Sequence, residues 1–184
     1  MIIDVIDMED STTRAAGDSI GVWNLREITR LGTSHVIQLY GMCNGVEAMI
    51  DSVMEVAGLG LIEALRIWGH GTPGSQAVSA GDMSAGEVTA HWAGISLTNF
   101  EAMAPILGRL TPYFSPCGRV ELRGCSVADQ TDGEQLLLQL AALWCVPVYA
   151  GRVTQRTAHS DWIPPVTRAT PGGSLSSTSG IAVR

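Results

Sequence analysis

The chain of 184 residues contains no lysine: its eleven basic residues are all arginine, and with 18 Asp and Glu the formal net charge is -7. That balance argues against nucleic acid or an anionic membrane as the main partner, because either needs a basic face. A long apolar run is missing as well. The amino terminus, MIIDVIDMEDS, has an acidic flank and a very short apolar stretch, which predicts neither a signal peptide nor a membrane span and hence a cytoplasmic protein, or one exported by some other route. No cysteine stands in a CxxC pair, His35, His70, His91 and His159 make no HxxxH pattern, and no internal repeat is visible. A zinc site is disfavoured, and no cofactor or metal is expected. Cys43, Cys117, Cys125 and Cys145 are even in number but lack the short spacing of a disulfide framework, so the plain expectation for each is a small buried hydrophobe.

The chain is 46% hydrophobic and 16% charged, which suffices for one good core and a single domain over residues 1–184. Buried strands are predicted at IIDVID (Ile2 to Asp7) and HVIQLYG (His35 to Gly41), with the helical WNLREITRLG before the second. GVEAMIDSVMEVAG reads as a helix with Val46, Ile50, Val53, Met54 and Ala57 on one face, stopped by Gly58 and Gly60. LIEALRIWG is a third strand. A Gly-, Ser- and Ala-rich region from Gly71 to about Ser96 follows, with short strand-like pieces such as EVTAHW. TNFEAMAPILGRL starts a helix at Thr98 or Asn99 and carries Phe100, Met103, Ile106, Leu107 and Leu110 on one side. RVELRG, EQLLLQLAALWC and VPVYAG then read as strand, helix and strand, and from about Thr154 the tail is irregular with a terminal strand or two.

Strands alternating with helices of this length imply an α/β fold, a mostly parallel sheet covered on both faces, with sites beyond the carboxyl ends of its strands. Two strand ends stand out. The third runs into Trp68-Gly69-His70-Gly71 and the fourth into Arg123-Gly124-Cys125-Ser126. If those strands are neighbours, imidazole and thiol emerge at one edge, as a cysteine nucleophile and its base require.

LRIWGHGTPG, followed 55 residues after its histidine by VELRGCSVAD, resembles the caspase-like cysteine peptidases, which include metacaspases, gingipains, separase and bacterial caspase-like domains. The spacing agrees with the histidine about 50 residues before the cysteine in caspases. The resemblance runs from the second strand to the fifth and is closest to bacterial domains with His-Gly and Gly-Cys motifs. It implies a three-layer sandwich and a cysteine endopeptidase acting on protein or peptide. Cys125 would be the nucleophile, His70 the general base, and the N–H groups of Gly71 and Cys125 the oxyanion hole, with Gly124 as the small residue before the nucleophile. Asp129, Gln130 and Asp132 follow Cys125 in a short loop, with Gly133 before the next helix, and that loop is too short to be the excised linker of a two-chain caspase, so a single-chain enzyme is expected.

Arg123 departs from the Gln of caspases and the Asp of metacaspases at the position that lines the pocket for the substrate residue before the scissile bond. A guanidinium there, assisted by Arg152, would favour an acidic cleavage site. The opposing reading pairs Arg123 with Glu121, Asp129 or Asp132. Two other functions stay in view. A caspase-like domain can be a catalytically inactive interaction module. Alternatively Gly41-Met42-Cys43-Asn44-Gly45 has the form of a nucleophile elbow, with His159-Ser160-Asp161 as base and orienter, in a hydrolase or amidotransferase; it also suits a plain strand-to-helix turn. Trp23, Trp68, Trp92, Trp144 and Trp162 are expected to serve packing, since no basic stripe accompanies them.

Overall fold

The computed structural model describes residues 1–9, 32–80, 92–155 and 162–178. Five apolar runs form parallel strands: β1 (Ile2–Asp7), β2 (His35–Leu39), β3 (Ile62–Trp68), β7 (Phe114–Leu122) and β8 (Val148–Gly151). The tail adds β9 (Val166–Ala169) and β10 (Leu175–Thr178), both antiparallel to their neighbours. The seven-stranded sheet has the order β10-β9-β8-β7-β3-β1-β2. Three short strands, β4 (Gly71–Thr72), β5 (Ser75–Ala77) and β6 (Gly94–Ser96), make a separate antiparallel sheet directly after β3. The EVTAHW piece lies outside the described residues up to His91, as does the expected WNLREITRLG helix apart from Gly32.

Helices connect the parallel strands: α1 (Gly45–Val56), α2 (Phe100–Leu107), continued by a 3-10 turn (Gly108–Tyr113), and α3 (Gln130–Trp144). Their apolar faces meet one side of the sheet. Met49, Ile50 and Val53 of α1, Met103 and Leu107 of α2 and Leu136, Leu137 and Leu140 of α3 share one cluster with Ile3, Val5, Leu65, Ile67, Val120, Leu122 and Val148. Trp144 closes it, its indole N–H donating to the Leu107 carbonyl at 2.8 Å. The side chain of Asn99, at the start of α2, does not cap the helix: its Oδ1 accepts the Ser96 N–H and its amide donates to the Gly94 carbonyl, so it fastens the helix to β6.

The core residues of each strand alternate with residues of quite different character, because successive side chains point to opposite faces. In register, Asp4 lies beside Arg66, Arg66 beside Glu121, Glu121 beside Tyr149 and Tyr149 beside Arg168. One row of the sheet is thus acidic, basic, acidic, aromatic and basic. Asp4, Arg66 and Glu121 are buried. Arg66 lies 3.5 Å from Asp4 and 3.6 Å from Glu121, and Glu121 also accepts from Arg119 at 2.8 Å and from both Nε and Nη2 of Arg123. All three described helices therefore occupy one layer, against the apolar face, and the charged row marks the other.

Burial pushes the Glu121 carboxyl up, but Arg123, Arg66 and Arg119 together outweigh it and hold it below the ordinary range. Burial raises Asp4 above its usual value despite hydrogen bonds from Thr33 and Trp68. The two carboxyls act with opposite sign. Ionised Glu121 contributes stability that is fully present above its ordinary value of 4.5 and is lost as pH falls through its lower folded value, whereas Asp4 gains from acidification. Glu121→Gln leaves buried guanidinium groups without their anion and is expected to destabilise the protein by about 3–5 kcal/mol at pH 7. Urea unfolding over a pH series should show that gap begin to close below pH 4.5, where the unfolded carboxyl takes up its proton, and vanish once pH has fallen through the lower folded value.

Candidate active site

The two strands that carry the His-Gly and Gly-Cys motifs are hydrogen-bonded neighbours at the centre of the sheet. β3 and β7 run parallel with Ile67 opposite Leu122, and the Arg123 N–H donates to the Ile67 carbonyl at 2.8 Å. β3 ends at Trp68 and β7 at Leu122, so His70 and Cys125 follow in the two turns that leave these neighbouring strands. The glycines around them let two backbones touch where side chains would keep them apart. A Cβ on Gly71 would lie 2.8 Å from the Cys125 nitrogen and 2.7 Å from its carbonyl oxygen, and one on Gly124 would lie 2.9 Å from the Gly71 Cα.

The β4–β5 hairpin holds the histidine end in place. The Ala77 N–H donates to the His70 carbonyl at 2.8 Å, and at the hairpin tip the Gly74 N–H donates to Val127 at 3.0 Å. Bonded and non-bonded pairs alternate in an antiparallel ladder, so with the Ala77 N–H on the His70 carbonyl the Gly71–Gln76 pair is non-bonded and the Gly71 N–H points away from β5. Gln76 is buried, and its Oε1 accepts the Gly124 N–H at 2.8 Å.

The cysteine end is fastened to β8. Ser126, in the left-handed region at φ 55, donates its N–H to Val153 at 3.0 Å, and Ala128 donates to Gly151 at 3.0 Å. A non-glycine residue at such a φ is strained, and the surrounding bonds hold it there. Among the described residues the Cys125 N–H has no acceptor. The half-buried thiol donates to the Gln155 carbonyl at 3.5 Å, not to the imidazole. Gln155 in turn clamps its own loop, donating to Val153 and Ile163 and accepting the Ile163 N–H.

Arg123 takes the second of the two arrangements expected for it. Its guanidinium pairs with Glu121, and its faces lie 5.0 Å from the Trp68 ring centroid and 4.0 Å from that of Trp162. Burial lowers its pKa, with Glu121 opposing. Arg152 pairs with Glu134 of α3 at 2.9 Å. Neither presents an unmatched charge to a substrate carboxylate, which removes the physical basis for an acidic preference. The other cysteines depart from expectation: Cys43, Cys117 and Cys145 are exposed, not buried. Cys43 follows β2 at the edge of the sheet, with β1 between β2 and β3; His159 and Asp161 lie outside the described residues. Trp144 and Trp162 pack as expected, whereas Trp92 is exposed. Among the described residues no three His, Cys, Asp or Glu side chains gather as metal ligands, and no helix is long and apolar enough to cross a membrane.

Sequence reasoning missed Gln76 and the Trp68–Arg123–Trp162 stack. Acidic and basic residues inside the strand runs IIDVID, LIEALRIWG and RVELRG were a signal for the charged row. Nothing around Gln76 marks it.

Because a Cβ on Gly71 would lie 2.6 Å from the stiff, β-branched Val127 side chain and 2.7 Å from the Cys125 carbonyl oxygen, Gly71→Ala is expected to destabilise the protein by about 1–3 kcal/mol through overpacking, measured by urea unfolding. Gly172→Ala, where a Cβ meets open space, should change stability by less than about 0.5 kcal/mol.

No protein-family model, no curated protein and no solved structure matches this chain.

Proposed function

We propose that the chain is a single-chain, caspase-like cysteine endopeptidase that cleaves protein or peptide substrates with a His70–Cys125 dyad. The observation that carries this reading is the in-register pairing of β3 with β7, which ends both strands at one edge with Gly71 packed on the backbone of Cys125. Clefts beyond the carboxyl ends of parallel strands are where open α/β sheets bind their ligands.

In this reading a peptide carbonyl lies against the touching backbones of Gly71 and Cys125, and its oxygen meets their two N–H groups as negative charge develops on it. His70 takes the thiol proton, the Cys125 sulfur bonds to the carbonyl carbon, and the proton passes to the departing amine as the C–N bond breaks. Water then hydrolyses the thioester. The thiol must first leave the Gln155 carbonyl and turn toward the imidazole; catalytic hydrogen bonds are often long in substrate-free enzymes and tighten on binding. With Arg123 and Arg152 matched internally, the reading carries no preference for an acidic residue before the scissile bond.

The thiol-to-carbonyl contact favours a second reading, an interaction module with an idle dyad. Reactivity separates the two. Three of the four thiols are exposed, so rates and not mere modification decide. With iodoacetamide at neutral pH, mapped by mass spectrometry, Cys125 is expected to react at least about tenfold faster than Cys117 or Cys145, and His70→Ala to erase that advantage. A Cys125 no faster than the others would point to the module; a fast Cys43 would point to the elbow hydrolase.

A further inference from the structure

We propose that Gln76 is a positioning residue for the oxyanion hole, an inference that rests on the dyad reading. Its side chain is 0% exposed and lies between the two motifs. Oε1 accepts the Gly124 N–H at 2.8 Å, across 48 positions of sequence, while Nε2 donates to the Ala77 carbonyl at 2.8 Å. Ala77 is itself bonded through its N–H to the His70 carbonyl at 2.8 Å. A single amide therefore links the residue before the nucleophile to the hairpin that begins at the base.

The fit depends on Gly124. A Cβ there would lie 2.7 Å from the Gln76 Oε1 and 3.1 Å from the Gly71 nitrogen. Gln76 thus occupies the space that glycine leaves, and it sits opposite Gly71 in the hairpin register. Fixing Gly124 against Gly71 fixes the relative direction of the two N–H groups, at Gly71 and Cys125, that would receive the oxyanion. Only the two-sided amide does this, because one end must accept from an N–H and the other donate to a C=O. Gln76 touches neither thiol nor substrate, so its effect is on geometry.

Two reagents isolate that effect. p-Nitrophenyl acetate acylates a thiolate through a tetrahedral oxyanion: a C–S bond forms, the C–O bond breaks, and p-nitrophenolate leaves. Iodoacetamide alkylates by direct displacement of iodide and forms no oxyanion. In Gln76→Met the acylation rate of Cys125 is expected to fall about 10- to 100-fold, short of or equal to the loss from deleting one oxyanion donor, with alkylation within about twofold of wild type. Gln76→Glu keeps an acceptor for Gly124 and should lose less; it carries the test if Gln76→Met fails to fold. Equal loss of both rates would mean a general loosening of the turn, and loss of neither would mean that the amide is only structural; each overturns the proposal. A wild-type Cys125 no faster than Cys117 toward iodoacetamide overturns the dyad reading instead.

Discussion

The parallel pairing of β3 with β7 is the interaction on which the rest of this structure depends. It lies in the middle of a seven-stranded sheet, joins segments more than fifty residues apart, and brings two glycine-punctuated strand ends side by side. Everything proposed for His70 and Cys125 follows from Ile67 standing opposite Leu122. A shift of one residue would send one of the two motifs to the other face of the sheet.

That register is held by different chemistry on the two faces. On one, helices α1, α2 and α3 bury a continuous apolar cluster. On the other, Glu121 gathers Arg66, Arg119 and Arg123 within the sheet. Apolar contacts tolerate sliding better than a carboxylate meeting several guanidinium groups, so the charged row suits the task of specifying register. Removing Glu121 strands buried guanidinium groups, which is costly even where an assembled buried network adds little net stability. The row also runs toward the candidate site: two residues beyond Glu121 lies Arg123 between two indoles, and two beyond that lies Cys125.

The five parallel strands and the three helices were legible from periodicity, whereas β4, β5 and β6 fall in a Gly- and Ser-rich region whose pattern did not mark them. β1, β3 and α1 appear close to the predicted bounds because apolar spacing and glycine stops act locally, while α3 begins at Gln130, ahead of the expected Glu134 and through Gly133. The burial of cysteine was misjudged, since Cys117 and Cys145 lie at solvent-facing positions of elements whose opposite faces fill the core. Asn99 has a residue type that caps helices, yet its amide satisfies β6. In both cases the residue type sets what is possible and the neighbours decide what happens.

By itself the sequence determined the alternation of strands and helices, the acidic balance without lysine, and the two glycine-flanked motifs at strand ends. These are properties of consecutive residues, and short-range sterics and hydrophobic spacing suffice to produce them. Only the tertiary structure decided that β3 and β7 are neighbours, that Arg123 belongs to Glu121, that Cys43 stands two strands from His70, and that Gln76 bridges the two motifs. Each of these is a contact between distant segments, selected when the whole sheet assembles and buried polar groups must find partners.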